Sequence, residues 1–168
     1  MKQAHWIFIS THYDDVALSC GGLVWDMVNQ GNLVEIWTVM AGYPPDEDYS
    51  KFAQGTHDVW GKSGKDAIHM RREEDEAACE VLGAKPCYLQ FPDVIYRRYE
   101  ESAEPVVNND DELFNNPPEP SLVKDITDVL TRKLPSEKIL VLPMGLGGHL
   151  DHRAVVEAGK VLPSVDFY

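Results

Sequence analysis

The sequence predicts an α/β fold: a Rossmann-like, doubly wound and mostly parallel sheet with helices on both faces. Short apolar runs rich in β-branched residues alternate along the chain with stretches of helical periodicity. Gly or Pro punctuates most of these segments, and 168 residues suit one domain, 1–168, that folds without a disulfide. Strands separated by helices need crossover connections, which favour parallel pairing.

Residues 4–10 contain the dense run Ile7-Phe8-Ile9, short enough for a buried strand. Residues 21–30 place Leu23, Val24, Met27 and Val28 at helical spacing, with Gly31 where a helix C-terminal glycine belongs. Residues 33–40 are β-branched and aromatic, a second strand, and residues 41–65 read as a loop with several acids. A helix over 66–82 is closed by Gly83, and residues 85–91 form a third strand. Residues 97–118 read as an acidic, solvated loop insertion; between residues 99 and 123 there is no Lys or Arg. Pro120 opens a helix over 120–134 and Pro135 stops it; residues 138–143 are a fourth strand and 152–162 a fourth helix. A doubly wound sheet normally continues with another strand at this point, so the C-terminal part of the domain is expected to be absent from this chain.

Fifteen Lys and Arg against twenty-eight Asp and Glu give a net charge of −13. That sign repels phosphate backbones, so nucleic acid and anionic membranes are excluded as partners. No apolar run reaches the length of a membrane span, and the N-terminal run is too short for a signal peptide. Cys20, Cys79 and Cys87 show no C-x-x-C spacing, which points to a reducing, cytoplasmic setting. The composition leaves a homo-oligomer open.

Two clusters carry chemistry. His12-Tyr13-Asp14-Asp15 follows the first strand, and His149-Leu150-Asp151-His152 follows the fourth. Ligands of open α/β sheets bind beyond the carboxyl ends of the strands where strand order reverses, so the two clusters should face each other across one crevice. Three imidazoles and three carboxylates suit a catalytic zinc, which takes three N or O ligands and keeps one position open. One His and one Asp of the first cluster with one His of the second would bind the metal. The remaining Asp would serve as base, and the remaining His and Asp of the second cluster as a charged pair.

With Gly21-Gly22 after the first cluster, Arg71 and Glu74 opening a helix that ends in Leu82-Gly83, and Pro92-Asp93 after the third strand, the chain resembles the LmbE-like, or PIG-L-type, N-acetylglucosaminyl deacetylases. Tyr13 stands where that family has proline and Val16 where it commonly has an acid. The resemblance implies an LmbE-like fold and a zinc-dependent hydrolase that removes an N-acyl group, typically acetyl, from a small glucosamine-type sugar conjugate. It implies that His12, Asp15 and His152 bind Zn2+, that Asp14 is the general base, and that protonated His149, oriented by Asp151, stabilises the oxyanion. Arg71 and Asp93 would contact the substrate. Arg71 also fits an i, i+4 pair with Asp75, and Arg72 reads as a solvated charge. His5, His57 and His69 have no such company and read as structural. A degenerate, non-catalytic member binding a sugar or nucleotide is the main alternative, with a metal-dependent phosphoesterase behind it. Gly21-Gly22 lacks the spacing of a dinucleotide site.

Overall fold

The computed structural model describes residues 3–162 and the backbone of 165–167. In chain order it contains β1 (His5–Ser10), α1 (Asp15–Asn29), β2 (Leu33–Thr38), α2 (Lys51–Trp60), α3 (Gly64–Leu82) and β3 (Lys85–Tyr88). A short 3-10 turn (Val94–Tyr96) precedes α4 (Asp110–Asn115), α5 (Pro120–Lys133), β4 (Ile139–Leu142), α6 (Leu150–Gly159) and β5 (Val165–Phe167). The sheet is five-stranded in the order β3-β2-β1-β4-β5, and every pair is parallel. A fifth strand therefore follows the fourth long helix, where the sequence reading had placed none.

Side-chain alternation along the strands divides the core. Ile7, Ile9, Trp37, Leu140 and Leu142 pack with Leu122, Ile126 and Leu130 of α5 and with Ala154, Val155 and Ala158 of α6. Phe8, Val34, Ile36 and Val141 point to the opposite face, against Val16 and Val24 of α1 and Cys79 of α3. Near-continuous apolar strands are what a parallel sheet covered on both faces requires. Each fully buried Ile, Leu or Phe contributes roughly 1.5–3 kcal/mol of transfer free energy.

A third apolar cluster draws on the 41–65 and 97–118 segments, both expected from the sequence to be loops, as well as on α3 and the 3-10 turn. Ala53 of α2, Ile68 of α3, the 3-10 residues Val94, Ile95 and Tyr96, and Val106, Val107 and Leu113 pack around Tyr13 and Leu150. Residues 41–65 thus contain a helix. Its Ser50 cap accepts from the Ala53 amide, and Gly61 at φ 69° ends it. Tertiary burial of Ala53 and His57 outweighs the weak local propensity of a segment interrupted by Gly55. Likewise the 97–118 insertion is no solvated loop, since it carries α4 and buries Val106, Val107 and Leu113.

Two boundaries shift in ways that position the site. α1 begins at Asp15 rather than 21, with non-helical dihedrals at Cys20, so its first turn belongs to the His12 loop. α6 begins at Leu150, two residues before the 152 start that the sequence suggests, with His149 at its N-cap. Among the described residues no helix is long and apolar enough to cross a membrane.

Candidate metal and active site

Strand order reverses between β1 and β4, because the chain winds outward through β2 and β3 and then crosses to the other side of β1. The His12 loop leaves the carboxyl end of β1 and the His149 loop follows β4, so the two clusters meet over that reversal. Ser10 holds the first loop: its Oγ donates to the His12 carbonyl at 2.7 Å and accepts from the Val16 amide at 3.3 Å. Asp14 adopts the left-handed region at φ 73°, and its side chain reaches Arg71 while that of Asp15 reaches His12 and His152. The second loop is curled by Gly145, Gly147 and Gly148, all at positive φ, a conformation that favours glycine.

Three imidazoles converge. Ring centroids are 4.9 Å apart for His12 and His149, 5.2 Å for His12 and His152, and 5.4 Å for His149 and His152. A nitrogen from each lies within 4.8 Å of the others, close enough to share one ion. Asp15 Oδ2 accepts from the His12 amide at 2.8 Å and lies 3.9 Å from His12 Nδ1 and 3.4 Å from His152 Nε2. Donors around tetrahedral zinc at about 2.0–2.1 Å sit roughly 3.3 Å from one another, a spacing that the 3.4 Å from Asp15 Oδ2 to His152 Nε2 matches and the 3.9 Å to His12 Nδ1 approaches. His12 also forms a second group of potential ligands with Asp93 and Asp151.

His12 is also bound from its far side. Its Nε2 lies 3.0 Å from Asp151 Oδ2 and 3.5 Å from Asp93 Oδ2. Burial opposes a charge on this ring, but Asp151, Asp93 and Asp15 overcome it and raise His12 to about 9 without a metal. His149 moves the other way, to about 4, because it is buried and faces His12. Both effects favour its neutral form, against the protonated form expected from sequence. Its Nδ1 accepts from the Asp151 amide at 3.2 Å, which leaves Nε2–H as its donor. Burial likewise lowers His152 and favours the neutral, ligating form.

The Asp151 side chain does not form the expected charged pair with His149. It is fully buried, with Oδ2 accepting from the Val94 amide at 3.0 Å as well as facing His12. Burial would raise its carboxyl, but Arg97 and His12 hold it well below the ordinary carboxylate range. Arg97 was missed in the sequence. Its one signal was a basic pair, Arg97-Arg98, at the edge of an acidic stretch.

Asp14 stands apart from this network, with its side chain 55% exposed and Oδ2 at 3.5 Å from Arg71 Nη2. Partial burial raises its carboxyl, with Arg71 opposing. Arg71 also lies over Trp60, 5.0 Å from the ring centroid, and donates to the Tyr13 carbonyl at 3.4 Å. The Arg71–Asp75 alternative is not what forms: buried Asp75 accepts from the Asp14 amide and from Tyr88 Oη. Arg72 is not a solvated charge either. It donates to the Ala41 carbonyl at 3.0 Å and stacks over Tyr43 and Tyr88. Asp93 Oδ1 accepts from the Ile95 amide, while Oδ2 faces His12, and His57 is buried against Tyr96 Oη at 2.8 Å. A groove of about 430 Å³ runs outward from Asp93 and His149, floored by Phe52, Gly55, Thr56 and Trp60 of α2 and by Leu113. Val16, in the first turn of α1, is packed in the core and leaves no acid at that position.

Residues 7–162 match the family model described as PIG-L: GlcNAc-PI de-N-acetylase. The chain is 30% identical over 174 residues to 2'-N-acetylparomamine deacetylase of Niallia circulans, covering 95% of this chain and 62% of that protein. A crystal structure of a deacetylase–teicoplanin complex from the teicoplanin biosynthesis pathway superposes with a TM-score of 0.79 at 29% identity, over 94% of this chain and 64% of the other. The zinc-inhibited form of teicoplanin deacetylase gives a TM-score of 0.75 at 27% identity, over 94% and 62%. The chain thus spans a little under two thirds of the length of each of these relatives.

Proposed function

The chain belongs to the PIG-L, or GlcNAc-PI de-N-acetylase, family, and on that premise we propose that it is a zinc-dependent hydrolase that removes an N-acetyl group from a glucosamine-type sugar carried on a larger conjugate. The observation that carries this reading is the convergence of His12, His149 and His152, with Asp15 Oδ2 3.9 Å from His12 Nδ1 and 3.4 Å from His152 Nε2 and with Asp14 directed instead toward Arg71. The named relatives deacetylate N-acetylparomamine or belong to teicoplanin biosynthesis, which makes a sugar on an aminoglycoside- or glycopeptide-like scaffold the substrate class to test first.

His12 Nδ1, Asp15 Oδ2 and His152 Nε2 would hold the ion. Bound zinc would supply Lewis acidity toward the acyl oxygen and lower the pKa of water toward neutrality. Asp14 takes the proton from the attacking water and returns it to the leaving amine; burial raises its carboxyl, the direction a shuttle needs. His149 donates from Nε2–H to the developing oxyanion as a neutral imidazole. Arg71, held over Trp60, binds a hydroxyl or other oxygen of the sugar, and Asp93 bonds a hydroxyl at the inner end of the groove. The groove takes the rest of the conjugate.

The test is metal analysis of the purified chain together with acetate release from N-acetylglucosamine glycosides, an N-acetylated aminoglycoside and an N-acetylglucosaminyl glycopeptide. About one zinc per chain and release from at least one conjugate are expected. Zinc binding without acetate release from any of them would leave the degenerate, ligand-binding reading in its place.

A further inference from the structure

The structure assigns to Arg97 the role of positioning His12 for the metal, acting through Asp151; this inference rests on the zinc site proposed above. Arg97 follows the 3-10 turn, far from both motifs in sequence, yet its guanidinium is fully committed inside the protein. Nε and Nη2 donate to the two carboxylate oxygens of Glu119 at 2.9 and 3.2 Å, and Nη1 donates to the Pro92 carbonyl at 3.0 Å. Nη2 also lies 2.7 Å from Asp151 Oδ1. Among the described residues Oδ1 has no partner besides this charged contact, which compensates it.

The consequences follow from Asp151. It is a fully buried carboxylate, so each of its oxygens needs a partner inside the protein. With Oδ1 fixed by Arg97, Oδ2 is aimed at His12 Nε2 and the Val94 amide, both at 3.0 Å. A carboxylate accepting from Nε2–H selects the tautomer that presents Nδ1, the nitrogen facing Asp15, to the metal. Glu119 precedes α5 and grips the outer edge of the guanidinium, so the chain Glu119–Arg97–Asp151–His12 ties the insertion to the ligand by contacts of 2.7–3.2 Å. Arg97 touches neither the ion nor the substrate. It is a positioning residue.

The experiment is zinc affinity, by competition with a chromophoric chelator, for wild type, Arg97→Met, Arg97→Lys, Asp151→Asn and the double variant Arg97→Met/Asp151→Asn. Losing an orienting partner of a ligand weakens metal binding by about 10- to 100-fold, and Arg97→Met should fall in that range. Arg97→Lys keeps the charge without the fork and should lie between. In the Asp151→Asn background Arg97→Met should add less than about 2-fold, because the path through Asp151 is already cut. A general loosening of the fold would instead give the same loss in both backgrounds, and that overturns the inference. An unchanged zinc affinity in Arg97→Met also overturns it. If Arg97→Met does not fold, Arg97→Lys carries the test, and wild-type affinity in that variant counts against the role. Wild type with no measurable zinc affinity would refute the metal site itself, an outcome distinct from the others.

Discussion

Asp14 and Asp15 are adjacent and chemically identical, and the structure separates them completely. Asp15 Oδ2 is within 4 Å of ring nitrogens of both His12 and His152, whereas Asp14 points from a left-handed backbone toward Arg71. Asp14→Asn should be structurally mild. Asparagine tolerates φ near 73°, and the lost Arg71 contact is a half-exposed pair worth about 0–1 kcal/mol. In a chain of this size that lowers the thermal midpoint by at most roughly 4 °C. Zinc content should stay at the wild-type level, and turnover should fall by about 10²- to 10⁴-fold through loss of proton transfer. Asp15→Asn removes the one anionic ligand and should lower zinc occupancy, with activity partly recovered in added zinc. The assay is metal analysis, melting temperature and steady-state turnover on both variants purified in parallel. Loss of zinc from Asp14→Asn, or turnover near wild type in that variant, would refute the assignment.

Arg71→Ala should raise KM for the sugar conjugate and leave zinc content intact, since its contacts run to Asp14, Tyr13 and Trp60 and not to the imidazoles; steady-state kinetics beside metal analysis reads this. Gly55→Leu should fill the groove from α2, where an added Cβ meets nothing within 4 Å. It should gain about 0.5–1 kcal/mol of stability from helix propensity and raise KM for bulky conjugates but not for a simple methyl glycoside. Burial lowers the pKa of His57, whose Nε2 faces Tyr96 Oη and the Gly64 amide. The folded state therefore binds that proton less tightly than the unfolded chain. Its contribution is present above about pH 6.5 and lost as pH falls through the lower folded value. The thermal midpoint of His57→Gln should accordingly fall less than that of wild type between pH 7 and 5.

The strands and the long helices were legible because their signals are local. Ile7, Phe8 and Ile9 alternate between faces whatever packs above them, and Gly83 can close α3 from its own dihedrals. The two clusters at the ends of the first and fourth strands could be placed together by topology alone, since parallel winding brings those ends to one reversal. The α2 helix was not legible. Its residues are poor local helix formers, and the helix owes its form to burying Ala53 and His57 against segments distant in sequence. Nor was the pairing of charges. Sequence spacing suggested Arg71 with Asp75 and His149 with Asp151, but Asp75 is taken by Tyr88 and Asp151 by Arg97, His12 and Val94. A buried polar group takes the partner that satisfies it at lowest desolvation cost, and that partner is chosen by the three-dimensional packing, not by spacing along the chain.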